Sequence, residues 1–141
     1  MVRNENRIGL RIRSDKEVNS AVRESCINFA KWLRTTQEFP IRVVVYLKKD
    51  SILKTIEIEE FASATFFAPS NKTHEPYIRI ATGDYEQLVS DRGEIDALWA
   101  ILKSMAHELV HYHQWINDKY FDEDEAERLS EYLLDEFAET L

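Results

Sequence analysis

One stretch constrains this chain more than any other. Asp91-Arg92-Gly93-Glu94 has the spacing of a capping box, with Asp91 as N-cap, and no proline interrupts the chain after it. The spacing predicts a helix from Asp91 to about Ile116. Along it Ile95, Leu98, Trp99, Leu102, Met105, Ala106, Leu109 and Val110 cover one broad arc, which Ile101 and Tyr112 extend. A helix that is apolar round most of its circumference is buried, so this one should be central. The rest of the chain has to wrap it.

Upstream, Ser14-Asp15-Lys16-Glu17 also has capping-box spacing and predicts a helix running to about Arg34. Val18, Ala21, Val22, Ser25, Phe29 and Leu33 follow helical spacing along it. Beyond Pro40, residues 41–47 are rich in β-branched side chains and read as a strand. Residues 52–58 read as its hairpin partner, 61–68 as a third strand and 77–82 as a fourth. Asn117-Asp118-Lys119 breaks the central helix, and a last helix starts near Asp122. Helices grouped apart from strands make the expected class α+β, in one domain spanning residues 1–141. The expected order is an N-terminal helix, a small mostly antiparallel sheet, then the central and C-terminal helices.

The central helix carries His107-Glu108-Leu109-Val110-His111. Residues four apart on a helix lie roughly 40° apart in projection and one turn along. His107 and His111 can therefore aim both imidazoles at one metal ion, and zinc accepts such nitrogens at about 2.0–2.1 Å. Glu108 lies about 100° round from His107, placed to touch a water on that ion rather than to ligate it. Asp96, Lys103 and Gln114 form a polar seam beside the histidines. His113 falls on the apolar arc and reads as a core histidine, and His74 sits in a loop.

A catalytic zinc site usually has three protein ligands. No histidine follows His113, but carboxylates crowd the segment from Asp122 to Glu131. If the last two helices form an antiparallel hairpin about residues 118–121, the residue facing His111 lies near position 128. Glu127 fits best, with Glu123 one turn early and Glu131 one turn late.

These residues resemble the zincin metalloproteases, and among them the gluzincins, which carry HExxH on one helix and a glutamate ligand on the next. The segment His107 to Trp115, followed by Glu123-Asp124-Glu125-Ala126-Glu127-Arg128, is similar to small proteins near the ImmA/IrrE group. The resemblance covers mainly residues 95–135. It implies a minimal zincin-like fold, one Zn2+ and hydrolysis of a protein or peptide substrate, with Glu108 as general base. It also implies an acidic residue four after the glutamate ligand, bracing a zinc histidine. Glu127 with Glu131 has that spacing, and so does Glu123 with Glu127. The alternative on the same fold is a metal-binding regulatory or interaction module that does not cut. A sheet edge within residues 61–68 could hold substrate as an added strand. Tyr112, Tyr120, Tyr77 and His74 are candidates to steady the oxyanion.

Composition narrows the surroundings. The net charge of -8 and the lack of an obvious basic patch argue against nucleic acid. No apolar run approaches the roughly 20 residues of a membrane span. The N-terminal residues lack the apolar stretch of a signal peptide, and the one cysteine, Cys26, has no internal partner. The expected location is the cytoplasm.

Overall fold

The computed structural model describes residues 7–54 and 61–141. The apolar run Val43–Lys48 forms strand β2 and lies inside a four-stranded sheet. Leu10–Ser14 (β1) flanks it on one side and Tyr77–Ala81 (β6) on the other, both parallel to it. Ala64–Phe67 (β5) closes the order β1-β2-β6-β5, pairing antiparallel with β6. Strand alternation sorts the side chains. Leu10, Val43, Val45, Leu47, Ile78 and Ile80 are wholly buried and share one face by register. Ala64 and Phe66 continue that face on β5. Tyr46, Tyr77 and Phe67 share the opposite face, where Tyr77 stacks on Phe67 at 5.0 Å and meets Tyr46 edge-on.

Among the described residues four helices complete the α+β fold: Ser20–Thr36 (α1), Tyr85–Arg92 (α2), Glu94–Ile116 (α3) and Glu123–Ala138 (α4). α3 is the expected central helix. Its residues Ala97, Ile101, Met105, Ala106, Leu109 and Tyr112 lie in the one buried cluster with the inner sheet face and α1. The Tyr112 hydroxyl donates to Ile41 O and accepts from Ile41 N at 3.2 Å, tying α3 to the start of β2. Phe137 of α4 packs between Phe29, Trp32 and Trp99 at centroid distances of 5.0, 5.5 and 6.0 Å. Ile95, expected on the buried arc, is exposed, and so lies outside the core.

Four expectations are corrected. The chain enters through β1 before any helix, and α1 starts six residues later than Ser14, capped by Asn19, whose side chain accepts from Ala21 N at 2.8 Å. Asp15 is drawn elsewhere, accepting from Lys49 N at 2.9 Å. The sheet is mixed rather than mostly antiparallel, because β1, β2 and β6 run parallel. β2 is flanked by β1 and β6 rather than by a hairpin partner: of the expected second strand, Leu53–Lys54 (β3) pairs with Phe61–Ala62 (β4), and residues 55–58 lie outside the described residues. Finally, Asp91 sits inside α2 rather than capping α3. Gly93, at φ 87°, separates the two helices with a backbone conformation that suits glycine. Among the described residues no helix is long and apolar enough to cross a membrane.

Candidate metal centre

α3 brings His107 and His111 to one face, with ring centroids 5.0 Å apart. Their partner is Glu123, the first residue of α4. His107 Nε2 lies 2.7 Å from Glu123 Oε1, and His111 Nε2 lies 3.1 Å from the same oxygen. A tetrahedral ion with bonds of about 2.0–2.1 Å keeps its ligands roughly 3.3 Å apart, close to these spacings. Two imidazoles and a carboxylate are a donor set zinc takes in catalytic sites. His107, His111 and Glu123 are the described residues whose ligating atoms gather this closely.

The expected third donor, Glu127, does not enter this group; the carboxylate that meets the two histidines is Glu123. Glu127 Oε2 accepts instead from Lys103 Nζ, which also reaches Glu131 Oε1 at 3.3 Å. The other Glu127 oxygen stands 3.7 Å from His107 Nδ1, within ion-pair range but too long for a hydrogen bond. Glu127, four residues after Glu123, thus stands on the Nδ1 side of His107 without a hydrogen bond to it. The turn between α3 and α4 is not symmetric. Asp118 takes φ 56°, Lys119 N donates to Gln114 O at 2.9 Å, and Asp122 is held against α3. The first residue of α4 is therefore already beside His111.

The clamp on Asp122 is Gln114, a member of the polar seam beside the histidines. It is buried, 2% exposed. Its Nε2 donates to Asp122 O at 3.1 Å and to Glu125 Oε1 at 2.8 Å. Its Oε1 accepts from Asp122 N at 3.3 Å and faces His111 Nδ1 at 2.7 Å. The Asp122 carbonyl can only accept, and so can an ionised Glu125, so the amide orientation follows from its partners. His111 Nδ1 must then be the donor to Gln114, and the Nε2 lone pair points at Glu123. Two lone-pair atoms facing one another need positive charge between them, which a divalent cation supplies, or a proton on Nε2 in its stead. Outer partners of this kind orient zinc histidines. The available signal was the position of Gln114 three residues after His111, on the same face.

Glu108 is half-buried and makes no hydrogen bond with the described residues. Burial raises its pKa, and Glu123 adds to this, while His111 and His107 oppose it. Burial also works against the charge on Glu123, but the His107 and His111 imidazoles that face it outweigh this and lower that pKa. A hydrogen bond from Lys103 lowers that of Glu127. A cavity of about 360 Å³ opens beside the site, lined by Ser63, Ala64, Arg92, Lys103, Ser104, His107 and Glu108 among others. Across His111 lies Phe121, at 5.2 Å between ring centroids, and Phe121 in turn meets Phe66 of β5.

The other candidates lie apart from this group. His113 points its ring nitrogens at Leu109 O and Glu38 O, at 3.1 and 2.9 Å, and packs on Phe39. His74 is exposed in its loop. Burial pushes the Tyr112 hydroxyl up to about 12, and its bonds to Ile41 tie it into the core. Tyr77 belongs to the opposite sheet face, and Tyr120 is almost fully exposed in the α3–α4 connection. In comparisons with known proteins, no family, no curated protein and no solved structure matches the chain.

Proposed function

We propose that this chain is a zinc-dependent peptidase of the gluzincin type on a minimal zincin-like fold. The observation that carries the reading is the meeting of His107 Nε2, His111 Nε2 and Glu123 Oε1 beside a cavity that Glu108 also lines. His107, His111 and Glu123 would hold the ion. Bound zinc supplies Lewis acidity, which activates a water and polarises a carbonyl. Gln114 holds His111 in the tautomer that leaves Nε2 free to bind. Glu108, without a competing hydrogen bond, takes the proton of the attacking water and returns it to the leaving amine. Its raised pKa suits both halves of that transfer. β5 is an edge strand among the described residues, and its outer edge could pair with an extended substrate. A cytoplasmic site of action accords with the single, buried Cys26.

The test compares wild type with Glu108→Gln, both loaded with zinc, on an unstructured protein such as casein. Wild type should cleave and lose cleavage on chelation. Glu108→Gln should keep its zinc and lose at least about 100-fold in rate, the lower end of what a general base contributes. Equal cleavage by both proteins would remove Glu108 from the mechanism. Zinc binding with no cleavage of any substrate by wild type would favour a metal-binding module instead.

A further inference from the structure

The cavity extends away from the candidate metal group along one face of α3. Ala100, Lys103, Ser104 and His107 line it at helical spacing, over seven residue steps or about 10 Å of helix. Ala64 at the start of β5 forms part of its wall, and Arg92 at the end of α2 closes it. Two basic side chains therefore face the space. They differ in what they already hold. Lys103 is neutralised by Glu127 and Glu131. Arg92 makes no hydrogen bond or ion pair with the described residues, and its neighbour Asp91 is bound by Gln87 Nε2 at 2.9 Å. The carboxylates of the cavity, Glu108 and Glu127, are committed, the first to the proposed chemistry and the second to Lys103. Arg92 is thus the cation of this cavity, among the described residues, that has no carboxylate of its own.

We infer that Arg92 binds a carboxylate of the substrate peptide, a specificity contact about three extended residues from the bond cut. The spacing follows from the length of the cavity, since an extended peptide advances about 3.3 Å per residue. A guanidinium takes a carboxylate through two parallel hydrogen bonds, which gives the preference direction as well as strength. The carboxylate comes from an Asp or Glu side chain or from the C-terminus of the peptide. The opposite side of the metal group carries Phe66 and Phe121, in ring contact at 5.9 Å. The inference rests on the peptidase reading for the course of the peptide but not for the charge preference.

The experiment measures binding to zinc-loaded Glu108→Gln protein, so that nothing is cut. The probes are labelled decapeptides of alanine, serine and threonine, blocked at both ends, with Glu, Gln or Lys placed at each position in turn. A further decapeptide lacks acid but has a free C-terminal carboxylate. Glu at a restricted position, or the free C-terminus, should tighten binding at least about tenfold over the neutral peptide. Which of the two does so identifies the source of the carboxylate. Adding Arg92→Glu should abolish that gain and favour Lys instead. Arg92 is exposed and makes no hydrogen bond or ion pair with the described residues, so the variant should keep its fold, checked by circular dichroism. Equal binding of all peptides, or a Glu preference that survives Arg92→Glu, would overturn the inference. The same peptides offered to wild type separate the two claims. Charge preference without cleavage counts against the peptidase reading alone, and cleavage without charge preference counts against the Arg92 contact alone.

Discussion

Replacing Gln114 should separate the architecture of the metal group from its chemistry. Gln114→Leu keeps a similar volume in a site that is 2% exposed but removes four polar contacts, to His111 Nδ1, Asp122 N, Asp122 O and Glu125 Oε1. Asp122 and Glu125 lie near the surface and can rehydrate, so their losses are small. His111 is buried, and its Nδ1–H is left without an acceptor. One such group costs roughly 1–3 kcal/mol. For a domain of this size that lowers Tm by roughly 3–12 °C in the metal-free protein. The tautomer of His111 is then no longer held, and zinc affinity should fall by about 10–100-fold, as for other outer partners of zinc histidines. Gln114→Glu is the control. It keeps an acceptor for His111 Nδ1 but sets a carboxylate against Glu125 Oε1. Zinc affinity should stay within about threefold of wild type while stability at neutral pH falls. The assays are thermal unfolding without metal and zinc titration against a chelating dye. A folded Gln114→Leu protein with unchanged zinc affinity would refute the reasoning, because His111 would then need no such partner.

Other outcomes follow from the same packing. Phe137→Ala empties the space between Phe29, Trp32 and Trp99 and should cost about 3–5 kcal/mol in denaturant unfolding; a loss below about 1 kcal/mol would mean the cluster is not closely packed. Burial pushes the Cys26 thiol up to about 12, so iodoacetamide should leave it unmodified in native protein and label it only after unfolding; rapid native labelling would contradict its burial. In metal-free protein the pKa of Glu108 is raised by burial, so its folded form holds its proton more tightly than the unfolded chain. That stabilisation is present below the ordinary glutamate value and is lost as pH rises through the raised one. Metal-free Glu108→Gln should therefore gain stability relative to wild type as pH rises above the ordinary glutamate value; a difference that stays constant as pH rises from there would show that Glu108 does not titrate in a buried setting.

The parts of the fold legible in the sequence were those whose signals are local. The α3 periodicity set out a central helix and put His107 and His111 on one face, as observed. Asp122 marked the start of α4, and its side chain does accept from Glu125 N at 3.0 Å. Strand partners are not local. Residues 41–47 read correctly as β-rich, but nothing in them says that the neighbours are β1 and β6 in parallel rather than the next segment in a hairpin. β1 itself alternates Leu10 and Ile12 with two arginines over only five residues, too short to stand out. The carboxylate that lies beside His111 was illegible for a related reason. Counting residues from a turn assumes a symmetric loop, whereas the Gln114 contacts pull Asp122 onto α3 and advance Glu123 to the site by one helical turn. Gln114 escaped notice because polar residues in a seam usually face water, and its burial depends on α4 lying over it.

Zinc titration of wild type beside Glu123→Ala and Glu127→Ala tests the central claim most directly. Wild type should bind one zinc per chain. Glu123→Ala should weaken that binding by more than about 100-fold, beyond the range of an outer partner, and Glu127→Ala by no more than about 10–100-fold. A wild-type protein that takes up no stoichiometric zinc would contradict the account, and so would a folded Glu123→Ala protein that binds zinc as tightly as wild type.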